Sequence, residues 1–138
     1  MPTTKQPRTE KYEPATTPAR KLLGDRAEAL VAEHFERQGW EIVGRNVRVG
    51  HYELDLVAVD QRTAVVMEVR TRGPSAFTTA IGSIDAAKRR HLRAAASRIW
   101  RTWFKKRPEI DNLRFDVAAV SFAPDGSVTI EHIRAAFS

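Results

Sequence analysis

Residues 52–72 read YELDLVAVDQRTAVVMEVRTR, and this stretch decides the fold. Residues 52–59 are apolar on both faces, which predicts a strand inside a sheet rather than at its rim. Asp60-Gln61-Arg62 makes a turn, and residues 64–70 form a second apolar strand. So short a turn pairs the two as an antiparallel hairpin. Strand side chains alternate with period two. Glu53 and Asp55 are therefore expected on one face of the first strand, and Glu68 and Arg70 on one face of the second. In that register Asp55 and Glu68 come close across the hairpin.

Charged groups in apolar strands are costly unless paired or bound to a cation. Two carboxylates a few ångströms apart repel, and a cation between them relieves the repulsion. Oxygen ligands suit Mg²⁺ or Mn²⁺ rather than zinc. A carboxylate-held Mg²⁺ polarises a phosphoryl oxygen and acidifies a bound water. Arg70 beside it would stabilise the charge of a phosphorane. The same spacing also permits a structural arrangement: Glu68 and Arg70 as an ion pair at a strand end, and Asp55 accepting hydrogen bonds from a loop. Spacing alone leaves both open. Glu28 lies one position past the apolar Ala27 on a preceding helix, and it either reaches the strand acids or is solvated.

Outward from the hairpin, Leu23, Ala27, Leu30, Val31 and Phe35 recur at helical spacing, and Gly39 is a C-terminal stop. Residues 40–48 predict a strand, weakened by Gly44. After the hairpin comes a loop with Gly73 and Pro74. Asp85 can cap a helix running to about Phe104, with Leu92, Ala95, Ala96, Ile99 and Trp103 on one side. Residues 115–121 and 128–133 are two further strands, joined by a turn at Pro124-Asp125-Gly126. The order predicts an α/β domain over residues 21–138, with a mixed sheet of about five strands flanked by helices. Residues 1–20 hold four of the seven prolines and almost no apolar side chain, so they predict a disordered arm of net charge +2.

The chain has 138 residues, enough for one ordinary domain, and its 42% hydrophobic and 29% charged residues make it globular. It has no cysteine, which excludes a disulfide framework, a zinc finger, a thiol nucleophile and a thiol redox site. No stretch approaches the roughly 18–20 apolar residues that span a bilayer, and the polar start lacks a signal-peptide core. A cytoplasmic protein with no membrane partner is expected. The net charge is +6 and the pI about 10.2, which brings a polyanion such as nucleic acid into view.

Nine of the basic residues lie between Lys88 and Arg107, with no acid among them. A helix balanced for its own stability would interleave glutamates. Either a polyanion relieves the repulsion, with Lys88, Arg89, Arg90 and Arg93 nearest the carboxylates, or the face is merely solubilising. Trp100 and Trp103 are read as core or interface. His34, His51, His91 and His132 show no ligand spacing; His51 is either a proton shuttle or a plain loop residue. Ser75 and the other hydroxyls lack a nucleophile's context, and there is no Walker loop.

Gly24-x-x-Ala27-Glu28, Gly39-Trp40, Arg45-Asn46, Glu53-Leu54-Asp55-Leu56, Glu68-Val69-Arg70-Thr71-Arg72, Lys88 and Arg114-Phe115-Asp116-Val117 follow one another in an order that resembles the YraN family. That family's fold is similar to the PD-(D/E)XK nucleases, especially the archaeal Holliday-junction resolvases. The resemblance implies a restriction-endonuclease-like core with Glu28 as helix acid and Asp55 and Glu68 as metal carboxylates. It also implies the carbonyl of Val69 as a further ligand and Arg70 in the place of the usual lysine. Arg70 cannot act as a base, because its pKa exceeds about 12. Ala27 and Tyr52 stand where the family usually has glycine; Tyr52 either crowds the strand or offers a ring to a base. The expected activity is Mg²⁺- or Mn²⁺-dependent phosphodiester hydrolysis by a structure-specific or general nuclease, on DNA ahead of RNA, with branched DNA one candidate substrate and a two-fold dimer one candidate assembly. The alternatives are a nucleic-acid-binding module without catalysis, which has no reason to keep all three acids, and an adaptor for an acidic protein.

Overall fold

The computed structural model describes residues 18–72 and 84–138. Most of the expected arm, and the loop holding Gly73, Pro74 and Ser75, lie outside the described residues. The elements follow as α1 (Pro18–Arg37), β1 (Glu41–Val49), β2 (Tyr52–Asp60), β3 (Thr63–Arg72), α2 (Ala86–Thr102), β4 (Asn112–Phe122) and β5 (Val128–Phe137). The strands form one sheet in the order β1-β2-β3-β4-β5. Its pairs are antiparallel except β3 with β4, which run parallel. A parallel pair needs a crossover, and α2 supplies it.

Helix α1 starts at Pro18, inside the stretch expected to be an arm; proline's fixed φ and missing N–H suit a first helical position. Ala27, Val31 and Phe35 are buried, whereas Leu23 is 39% exposed, so the buried stripe is narrower than the periodicity suggests. The helix stops at Gly39, whose φ of 92° favours glycine. The Trp40 amide then donates to the Phe35 carbonyl at 3.0 Å. That turn folds Trp40 back onto Phe35, with ring centroids 4.3 Å apart. Helix α2 opens on Asp85, whose Oδ1 accepts from the Lys88 amide at 2.9 Å.

The sheet divides two cores. On one side Ala27, Val31 and Phe35 of α1 meet Leu56, Val65 and Met67. On the other Leu92, Ala95 and Ile99 of α2 meet Val57, Val66 and Val117. Strands β2 and β3 are buried on both faces, as their composition requires.

Period two fails at one point. Leu56 packs on the α1 side, but Leu54, two residues earlier, packs on the α2 side with its partner Val47. The slip falls at Asn46 and Asp55, between the partners Arg45↔Leu56 and Val47↔Leu54. Asn46 has φ 52°, a left-handed conformation that asparagine tolerates. The β2–β3 ladder also ends at Leu56↔Met67, so Asp55 stands where the two strands part.

Gly44 serves a close approach. A Cβ there would lie 2.8 Å from Val47 Cγ2 and 3.2 Å from Trp103 Cη2. The indole of Trp103, which caps α2, is thus seated on the backbone of β1 next to a register shift between Ile42 and Gly44.

Candidate active site

Asp55 and Glu68 meet at the fork between β2 and β3. Oδ2 of Asp55 accepts the Val69 amide at 2.9 Å, a bond the ladder would have used had it continued. Glu68 is 4% exposed. Its Oε2 is 3.0 Å from Arg70 Nη2 and 3.5 Å from Lys88 Nζ. Its Oε1 is buried with no partner, and so is Nε of Arg70. The ion pair expected from β3 is present, yet it leaves one acceptor and one donor unused in a place where both are costly.

The charges are unbalanced in the same sense. Burial, then the repulsion of Glu68, pushes the Asp55 carboxyl up to about 7, against the Val69 amide and the cations of Lys88 and Arg70. Burial, followed by Asp55, Asp25 and Glu53, also pushes Glu28 up to about 7, while the Asn46 side chain opposes it. Glu28 is half-buried, and its Oε1 is a buried acceptor without a partner. It is not freely solvated, and the strand acid Asp55 is the charge that acts on it most strongly.

Glu28 lines a cleft of about 800 Å³ with Lys21, Gly24, Asp25, Arg45, Asn46 and Glu53. Glu53 therefore shares the cleft beside α1, while Asp55 lies between Glu28 and Glu68 and is felt by both. The expectation that both acids share a face fails because the alternation slips between them. Among the described residues, no group of three or more His, Asp and Glu side chains is gathered to hold a metal ion. The closest set is the carboxylate pair of Asp55 and Glu68, with Val69 contributing its amide.

Of the cations predicted around the site, Lys88 reaches Glu68 directly. Arg89 is committed to the fold: its Nε donates to the Ile84 carbonyl at 3.0 Å and its guanidinium lies over Phe137. Arg93 donates to the Ser138 carbonyl at 2.9 Å. Arg90 is exposed. At the far end of the run Arg107 is held by Glu41 at 2.7 Å and Glu109 at 3.1 Å. His51 is exposed in the β1–β2 turn.

A second polar cluster escaped the sequence reading. Asp116 is fully buried on β4. It takes the Arg114 Nε at 3.0 Å, the His132 Nε2 at 2.7 Å and the Ala135 amide at 2.9 Å. Burial pushes its carboxyl up, but the bonds from His132, Arg114 and Ala135 reverse this and hold it below the usual carboxylate range. Ala135 has φ 51°, so Asp116 holds a strained residue in place. His132 also meets Phe35 and Trp40 edge-on. With every acceptor bonded, this cluster is structural. Its sequence signals were an acid in an apolar strand and the motif Arg114-Phe115-Asp116-Val117, to which the sequence assigned no role.

A mixed sheet with a helix on each side, a leading antiparallel hairpin and carboxylates where its strands part fits a restriction-endonuclease-like, PD-(D/E)XK core. The chain belongs to the uncharacterised protein family UPF0102, the YraN family, whose model matches residues 27–120. It is similar to UPF0102 protein sce2912 of Sorangium cellulosum, with 48% identity over 119 residues covering 86% of this chain and 83% of the relative. UPF0102 protein Francci3_3586 of Frankia casuarinae is 38% identical over 86% of this chain and 98% of its own. UPF0102 protein GSU0650 of Geobacter sulfurreducens is 36% identical over 85% and 89%. Among the described residues, no helix is long and apolar enough to cross a membrane.

Proposed function

We propose that this protein is a Mg²⁺- or Mn²⁺-dependent hydrolase of phosphodiester bonds in nucleic acid, with DNA as the leading substrate and branched DNA among its forms. One observation carries the reading: the pair of buried Glu68 and partly exposed Arg70 keeps an unused acceptor on Glu68 and an unused donor on Arg70, beside a second carboxylate at Asp55. An unused carboxylate oxygen asks for a cation, and an unused guanidinium N–H asks for an oxyanion. The donor set fits a hard divalent ion: two carboxylates and the Val69 carbonyl are all oxygens, and Mg²⁺ typically needs only one or two carboxylates beside its waters.

When bound, such an ion supplies Lewis-acid polarisation of a phosphoryl oxygen and a more acidic water. Asp55 and Glu68 hold it. The Val69 amide fixes the Asp55 carboxylate, and Lys88 and Arg70 pin one oxygen of Glu68. The free Nε–H of Arg70 binds a phosphate oxygen and steadies the charge that builds there. Glu28, at about 7, takes or gives a proton near neutrality at the edge of the site.

Asp55→Asn should abolish Mg²⁺-dependent cleavage and leave DNA binding intact, scored on linear and branched nucleic acids. Equal cleavage by both proteins would mean a contaminating nuclease and would discard the assignment. The second reading, a binding module without catalysis, draws on the absence of a three-carboxylate group among the described residues. It expects binding but no cleavage with either ion.

A further inference from the structure

Beyond the carboxylate site, and sharing only Lys88 with it, a row of side chains follows the seam between α2 and the β1–β2 hairpin. Lys88 begins the row beside Glu68. The next turn brings His91, exposed and stacked on Tyr52 with ring centroids 4.7 Å apart and planes 20° from parallel. Further along, Arg98 reaches the hairpin turn, its Nη1 3.1 Å from where a Cβ on Gly50 would stand. At the end of the helix Trp103 lies over Gly44 and is 38% exposed. From Lys88 to Trp103 the helix rises about 22 Å at 1.5 Å per residue, long enough for a short run of nucleotides in an extended strand. Cations and aromatic faces alternate along it.

We propose that this seam is a track for single-stranded nucleic acid. Unpaired bases stack on His91 and Trp103, and the phosphates between them meet Lys88 and Arg98. The rings select the ligand. A duplex keeps its base faces stacked on one another, so exposed rings gain nothing from it, whereas every unpaired base has a face to offer. An acidic protein would engage the cations but leave the rings idle. Tyr52 backs His91, which gives a purpose to a ring at a position the resemblance assigns to glycine. The track rests on the proposed nucleic-acid substrate and deepens that reading: the strand to be cut arrives at Asp55 and Glu68 with an unpaired segment.

The test is the affinity of the full chain in EDTA for fluorescent 12-mers of dT and rU and for a 12-bp duplex. The single strands should bind tighter than the duplex. His91→Ala and Trp103→Ala should each weaken single-strand binding by about 5- to 150-fold, and duplex binding less than twofold. Trp103→Phe should retain most of the affinity while abolishing a quench of tryptophan fluorescence by dT; this separates stacking from a folding defect. No quench, no preference for single strands, or equal losses for strand and duplex would overturn the track. Cleavage assays with Mg²⁺ score the hydrolase reading separately: cleavage without any single-strand preference sinks the track alone, and tight strand binding without cleavage upholds it while the hydrolase reading falls.

Discussion

Asp55→Asn should make the protein more stable at pH 8, although it removes a proposed metal ligand. The reason is the environment of the carboxylate. Burial and then Glu68 raise its pKa from 3.8 to about 7, so the ionised form is held at a cost. At 1.36 kcal/mol per pH unit this sets a ceiling of about 4 kcal/mol. Asp55 is mostly but not fully buried, and water reaching its exposed part together with local relaxation reduces the figure to about 1–2 kcal/mol. Asparagine keeps an oxygen for the Val69 amide and removes the repulsion toward Glu68. A raised folded-state pKa means stability that is full below about pH 4 and is lost as the pH climbs through about 7. The variant should therefore gain about 4–8 °C in Tm at pH 8 and nothing at pH 4. Calorimetric melts of both proteins from pH 4 to 8.5, without divalent ions, measure the gap. Adding Mg²⁺ should close it by stabilising only the wild type, by about 1.4 kcal/mol at ten times the Kd. A variant less stable at pH 8, or a gap that does not change with pH, would refute the account of the site's charge.

Three further outcomes are expected. Arg114→Ala strips the main cation from the fully buried Asp116 and should cost about 3 kcal/mol in urea unfolding at pH 7; the lowered carboxyl pKa means that this cost fades as the pH falls below about 4, and a loss under 1 kcal/mol would show the cluster to be dispensable. Gly44→Ala drives a methyl against Val47 and Trp103 and should cost about 1–3 kcal/mol, read from the denaturation midpoint. Charge reversal at Arg90 and Arg93 should weaken duplex DNA binding and flatten its log–log salt dependence by roughly 0.9 for each phosphate no longer neutralised; an unchanged slope would move the duplex surface away from the start of α2.

The meeting of Asp55 and Glu68 was legible because the turn between their strands is short, so a count of residues sets the register. Element order was legible for the same local reasons: caps at Asp85 and Gly39, apolar runs, and a helical stripe around Ala27 and Val31. The separation of Glu53 from Asp55 was not. It depends on one left-handed residue, Asn46, on the neighbouring strand, and nothing in the alternation of β2 records it. Gly44 looked like a weak strand residue because its partner, Trp103, comes from the far end of α2. Asp116 was hidden for a similar reason: two of its three partners lie on β5, and only the folded sheet brings His132 and Ala135 to it.

That last dependence bears on how the chain can be made. Arg114 and Asp116 emerge from the ribosome together, but the acid has its full set of donors only after residues 132 and 135 have been synthesised. A nascent chain halted before β5 carries a half-neutralised anion in what should be the interior, beside the bare edge of β4. Such a fragment is expected to stay open until β5 docks, so removing residues 128–137 should cost the fold far more than the loss of one edge strand would suggest.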